Sequence, residues 1–271
     1  MNIHSDLNTN DKSGRYRSSL WPAWLALLTG LATTWPSHAK VIETRAVAFQ
    51  TPTAVRYSFE RPVGDRIAAS LDNWLLRAPV ANPGMIEMFR LRDRKPIPDL
   101  VPWAGEFIGK YLVSAVQARR MVDDPAFDEF LRDLIAEFIS TQAEDGYLGP
   151  FRKEERLLGH WDLWGHYHCM LGLMMWYEDT GDEAALKCAV RAADLICNTY
   201  LDTERRPIQA GSHEMNLSVI HALGRLYRHT GDQRYLRMMR IIERDWETPP
   251  AGDYFRQGLA WIIHKHPQGA V

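Results

Sequence analysis

Two tryptophans, an aspartate, a tyrosine and two histidines crowd into the eight residues WDLWGHYH, from Trp161 to His168. Imidazoles move protons or bind metals, a carboxylate serves as acid, base or hydrogen-bond acceptor, and indoles stack on flat apolar ligand faces. His166 and His168 are two positions apart, so on a helix they point to different sides. Two ligands from one helix want the i, i+4 spacing of an H-E-x-x-H motif, so a shared metal is disfavoured. The preferred assignment gives His168 to a pocket and His166 to a structural hydrogen bond. Asp162 reads equally as a first-turn acid of the helix or as a ligand contact. Trp161 and Trp164 are stacking walls or packing. Further along, HEMN (213–216) offers His213, Glu214 and Asn216 at the opening of the next hairpin. Asp145 lies in the helix-exit loop EDGYLG (144–149), where Asp-Gly is most often a turn. Glu106 and Lys110 stand at i, i+4 in the favourable order, an ion pair by default.

Helices in succession must position these groups. Residues 40–102 form a proline-rich segment with one helix expected over GDRIAASLDNWLLRA (64–78), ended by Pro79, and loops at PVANPGM and RKPIPDLVP. From Trp103 the pattern is helical. AGEFIGKYLVSAVQARRMV carries an approximate stripe at Phe107, Tyr111, Val113, Val116 and Met121. PAFDEFLRDLIAEFISTQ starts with Pro125 in its first turn and places Phe127, Phe130, Leu131, Leu134, Ile135 and Phe138 three and four apart. An internal repeat follows: residues 172–196 align with 222–246 at an offset of 50 residues, matching Tyr177 with Tyr227 and Thr180-Gly181-Asp182 with Thr230-Gly231-Asp232. Glycine ends one helix in a left-handed conformation and aspartate caps the next. VDDPAFDEFL (122–131) does the same without the glycine. The fold class is therefore all-α, with α-hairpin repeats over 103–271 forming part of an (α/α)6 toroid. A ring of six such hairpins needs on the order of 300 residues, so this chain supplies roughly half of one.

Composition sets the outer bounds. The chain has 271 residues, a formal net charge of −2 and no basic tract beyond the N-terminus, which excludes nucleic acid as an expected partner. Residues 1–39 read as a signal peptide: Lys12, Arg15 and Arg17 precede SLWPAWLALLTGLATTW, and SHA ends at Ala39 as a small-x-small cleavage site. Lys40 becomes the mature N-terminus of a periplasmic or secreted protein without a stable membrane span; an uncleaved signal anchor is the alternative. Cys169, Cys188 and Cys197 form an odd set with no C-x-x-C. Cys188 and Cys197 lie in one helix roughly 13 Å apart along its axis, too far to bridge, so buried free thiols are expected.

Four segments, WAGEFIGKYLVSA (103–115), QAEDGYLGPF (142–151), WDLWGHYHCMLGLMMWYEDTGD (161–182) and NLSVIHALGRLYRHTGDQRYL (216–236), occur in the order found in a bacterial glycoside hydrolase group. The chain resembles the N-terminal half of family 127, the β-L-arabinofuranosidase-like enzymes, over roughly residues 60–260. The resemblance implies a toroid whose inner helices open onto a sugar pocket, a carbohydrate substrate, and a sugar-contacting role for His168. It places Asn216 where a second sugar-contacting histidine is expected. It further implies a zinc-bound cysteine nucleophile with neighbouring cysteines and glutamates, all in the half beyond this chain. The three cysteines here lack the Glu-x-Cys or Cys-Cys context, so no cofactor is visible in this chain and no catalytic residue is assigned. A truncated member with a missing C-terminal half is the expectation. Glycosidases commonly use two carboxyl groups about 5–10 Å apart, for which Glu106, Asp145, Asp162 and Glu214 are available. The substrate-binding set expected is His168, Asp162, Trp161, Asn216, Glu214 and Asp145. A non-catalytic carbohydrate-binding or scaffolding helical module, and an unsaturated-uronide hydrolase or polysaccharide lyase, are the other readings.

Overall fold

The computed structural model describes residues 55–248, apart from the side chains of His213 and Glu214. The signal peptide expected over 1–39, its cleavage site and the chain beyond 248 lie outside the described residues. Among the described residues every regular element is helical. These are α1 (Arg61–Ser70) with a π-helical turn at Leu71–Leu75, α2 (Ala78–Ala81), α3 (Gly84–Arg90), α4 (Glu106–Arg119), α5 (Pro125–Ser140), α6 (Asp162–Thr180), α7 (Glu183–Tyr200), α8 (His213–Asn216), α9 (Ile220–Thr230) and α10 (Gln233–Trp246). Three hairpins, α4/α5, α6/α7 and α9/α10, form part of an α/α toroid, as the repeat predicts. No described helix is long and apolar enough to cross a membrane.

The turns are built as their residue types require. Asp124 caps α5 by accepting from the amides of Ala126 and Phe127, and Pro125 sits in the first turn where no amide is needed. Gly181 (φ 76°) and Gly231 (φ 72°) end α6 and α9 in the left-handed region. Asp182 and Asp232 then cap α7 and α10. Thr180 and Thr230 each donate back to the carbonyl four residues earlier, so both copies of the T-G-D turn share one hydrogen-bond pattern.

The N-terminal segment departs from the single helix expected over 64–78. Helix α1 begins earlier, with Pro62 in its first turn, and runs into the π-helical turn. Pro79 begins α2 rather than ending a helix, and the expected PVANPGM loop contains α2 and the start of α3. A proline blocks a helix only from its second turn onward, so the same residue that stops one helix opens another.

One core runs from Leu71 to Ile242. Helix α6 lies at its centre, with 12 of its 19 residues buried, including Met170, Leu173, Met174 and Trp176. Full burial of such side chains is worth about 1.5–3 kcal/mol each. Helix α4 packs on α6 at close range because glycines face each other. A Cβ on Gly109 would stand 2.4 Å from the His168 carbonyl carbon, and one on Gly172 2.7 Å from the Leu112 Cβ. The stripe expected on α4 is accordingly incomplete. Ile108, Leu112 and Ala115 are fully buried, while Phe107 is 38% exposed.

Candidate functional site

Helices α4 and α6 each bring an i, i+4 pair to one face: Glu106 with Lys110, and Trp164 with His168. The Trp164 indole N–H donates to Glu106 Oε2. Lys110 Nζ lies 2.9 Å from Glu106 Oε1 and 5.3 Å from the centre of the Trp164 ring. The His168 ring meets Trp164 edge-on at 4.4 Å and Tyr167 at 4.6 Å. Tyr167 reaches across to α9, its hydroxyl 3.1 Å from His221 Nδ1. The result is an aromatic wall with a carboxylate and an ammonium at one edge and an imidazole between.

Within the wall, His168 lacks a full set of partners, as Asp162 Oδ1 does at the start of α6. Its Nε2 is buried and makes no hydrogen bond. Burial, and after it the nearby Lys110, draws its pKa down to about 4 against a smaller opposing pull from Glu106. The ring is neutral at neutral pH and offers a hydrogen-bonding nitrogen inside an aromatic frame. Sugars present alternating apolar faces and hydroxyls, which such a surface suits.

The other expected contacts fall elsewhere. Asp162 is 1% exposed. Its Oδ2 accepts from the Tyr147 hydroxyl at 2.9 Å and the Leu157 amide at 2.7 Å, making it a buried brace for the loop before α6. His166 belongs to the same brace. Its Nδ1 lies 2.9 Å from the Asp162 carbonyl, and its Nε2 accepts from the Leu148 amide at 3.2 Å. Asn216 is fully buried. Its Nδ2 donates to the carbonyls of His160, Ala210 and Gly211, and its Oδ1 accepts from the Trp164 amide. These bonds engage Asn216 in bracing the loop before α8 against the start of α6. Asp145 receives the Tyr147 amide at 3.0 Å and pairs with Arg156 at 3.0 Å, a turn role. Trp161 packs against Trp103 at 5.3 Å. The Glu214 side chain lies outside the described residues. Tyr167 and His221 were not anticipated, because they meet across α6 and α9 at a separation of 54 residues that no local pattern signals.

The three cysteines are free and buried. Burial pushes the Cys169 thiol well up and raises Cys188 and Cys197 to about 12. Zinc, implied for the family by resemblance, needs thiolates, and these thiols resist ionisation in apolar helix packing. They do not fit the metal. Among the described residues no three His, Cys, Asp or Glu side chains come together to hold one.

Three helical hairpins, with an aromatic, polar-edged wall across α4 and α6, form part of an α/α toroid. Residues 66–260 match the family described as "Beta-L-arabinofuranosidase, GH127 catalytic domain", and the chain belongs to that family. Among solved structures, a GH127 β-arabinofuranosidase is similar with a TM-score of 0.54 and 19% identity, over 66% of this chain and 31% of that one. A GH127 β-L-arabinofuranosidase from Geobacillus stearothermophilus T6 gives 0.50 and 18%, over 74% of this chain and 32% of that one. The chain thus aligns with about a third of each solved relative, and the likeness is one of fold. No curated protein matches it.

Proposed function

We propose that the chain contributes to glycoside hydrolysis on oligosaccharide or polysaccharide side chains, with Glu106, Lys110, Trp164, Tyr167 and His168 forming one wall of the sugar pocket. The observation that carries this reading is the buried, unpartnered Nε2 of a neutral His168 set in an aromatic frame. A furanoside of the arabinose type is the substrate class that the family suggests. The wall's role is recognition: His168 hydrogen-bonds a sugar hydroxyl, Trp164 and Tyr167 cover the apolar ring face, and Lys110 and Glu106 bind at its rim. Of the acids weighed, Glu106 is on the wall, whereas Asp145 and Asp162 are committed to the loop that precedes α6. A two-carboxylate pair is therefore not assembled by these three.

Turnover of an aryl β-L-arabinofuranoside by the full chain, lost in His168→Ala with folding intact, supports hydrolysis. Sugar binding without turnover favours the non-catalytic binding module instead. Export to the periplasm or medium belongs to the same proposal and is supported by the leader-like segment 1–39; N-terminal sequencing of the exported protein tests it, with Lys40 as the expected first residue.

A further inference from the structure

A second cavity lies away from the His168 wall, between the loop that follows α3 and the loop that leads into α6. It has a volume of about 220 Å³, and its lining includes Arg92, Asp99, Phe151, Arg152, Glu155 and His160. Drug-sized ligands occupy roughly 300–1,000 Å³, so this space suits a single small ring.

Its chemistry is built in detail. His160 holds φ at 54° and nearby Leu157 at 60°, both in the left-handed region that side chains other than glycine rarely adopt. The His160 ring stacks on Phe151 at 4.3 Å with an interplanar angle of 6°, and its Nε2 lies 3.8 Å from Glu155. Glu155 also receives Arg152 Nη2 at 2.6 Å, while Arg152 Nε is buried without a hydrogen-bond partner. Asp99 is exposed and has no hydrogen bond to another described residue. Arg92 is engaged in the floor, donating to the carbonyls of Gly149 and Thr141.

The charge balance selects the ligand. Two guanidiniums face two carboxylates, one guanidinium is spent on backbone carbonyls, and the other is already paired with Glu155. No surplus positive charge remains for a phosphate or a uronate. Free acceptors on Asp99, a spare donor on Arg152 and the stacked Phe151–His160 pair in the same lining match the hydroxyls and apolar edge of a sugar ring. We infer that this cavity is a second carbohydrate subsite, taking one neutral sugar ring of the substrate. It rests on the reading of the chain as carbohydrate-active but not on the His168 wall. Asn216 joins the two places, bonding the His160 carbonyl on one side and the Trp164 amide on the other, so their separation is fixed by one buried amide.

The test is an NMR titration of the full chain, labelled at its histidine imidazoles, with L-arabinose, D-glucuronate and inorganic phosphate in turn. L-Arabinose is expected to shift the His160 signal. In Asp99→Ala/Arg152→Ala the apparent Kd read at His160 rises about tenfold, the loss of charged hydrogen bonds, while the Kd read at His168 is unchanged. Asp99→Ala alone, at an exposed and unbonded side chain, gives a partial rise and guards against misfolding of the double variant. A His160 signal that ignores L-arabinose, a Kd unaffected by the variants, or a stronger response to glucuronate or phosphate overturns the subsite. A His168 signal that stays still while His160 moves overturns the wall and supports the subsite.

Discussion

Glu106 on α4 accepts the indole N–H of Trp164 on α6, so the first turns of two helices are joined by one polar contact at the edge of the aromatic wall. Lys110 neutralises the same carboxylate from one turn further along. The contact fixes the indole plane against which His168 stands edge-on. Glu106→Gln keeps an acceptor and is expected to leave folding intact. Glu106→Leu frees the indole and is expected to weaken sugar binding about tenfold, read by titration with L-arabinose. Equal affinity in the two variants would detach Glu106 from recognition.

The lowered pKa of His168 makes stability depend on pH. The folded value is about 4 against an ordinary value of 6.5. The unfolded chain therefore binds the extra proton between those limits, and the stability present above pH 6.5 is lost as pH falls toward 4. The loss attributable to this ring is on the order of 2 kcal/mol, allowing for its partial exposure. Thermal melts from pH 7 to pH 4 should show a shallower decline in His168→Gln than in the parent; parallel curves would assign the slope to other groups.

The close crossing of α4 and α6 predicts a strong contrast between glycines. Gly109→Ala drives a methyl to 2.4 Å and 2.5 Å from backbone atoms of His168 and Cys169. Backbone cannot step aside as a side chain does, so a cost of at least about 2 kcal/mol is expected. Gly181→Ala has nothing within 4 Å of the new methyl and meets only the strain of its left-handed φ of 76°, about 1 kcal/mol. Denaturant midpoints of the two variants check the order.

Asp179 is completely buried as a side chain and accepts from Arg120 Nη2 at 2.7 Å and Nε at 3.0 Å along one edge of the guanidinium, tying the end of α4 to that of α6. Asp179→Ala leaves a buried guanidinium unpaired and should cost about 3–5 kcal/mol. Arg237→Ala, which breaks a pair with side chains 52% and 76% exposed, should change stability by less than about 1 kcal/mol. Urea unfolding of both variants makes the comparison.

Asn216→His installs the residue expected from family resemblance. The buried amide makes four hydrogen bonds, three of them as donor, which an imidazole's single neutral N–H cannot replace. A loss of about 2–4 kcal/mol with no gain in sugar affinity is expected from the unsatisfied carbonyls. A stable variant with tighter sugar binding would restore Asn216 to the pocket.

The hairpins were legible because their signals are local. Asp124, Asp182 and Asp232 cap, Gly181 and Gly231 terminate, and the three-four spacing of Phe127, Leu131, Leu134 and Phe138 marks a half-buried helix. Helix α4 was less clear, since it is covered on several sides and its small residues at Gly105, Gly109 and Ala115 are as important as its large ones. In WDLWGHYH, residue type alone does not separate the wall residues Trp164 and His168 from Asp162, which braces the preceding loop. Burial sets Asp162 apart: it serves the loop amide of Leu157 and the hydroxyl of Tyr147, partners that helical spacing does not reveal. Tyr167 and His221 meet across two helices more than 50 residues apart, and His160 owes its placement to a backbone conformation for which its residue type gives no cue.

Where glycines on α4 and α6 press backbone against backbone, the distance between the two helices is set by main-chain atoms and not by the side chains of the aromatic wall. Glu106, Lys110, Trp164 and His168 are in that sense fittings on a frame of fixed gauge. Exchange of any one of them is expected to alter the chemistry of the wall while leaving the helix spacing unchanged.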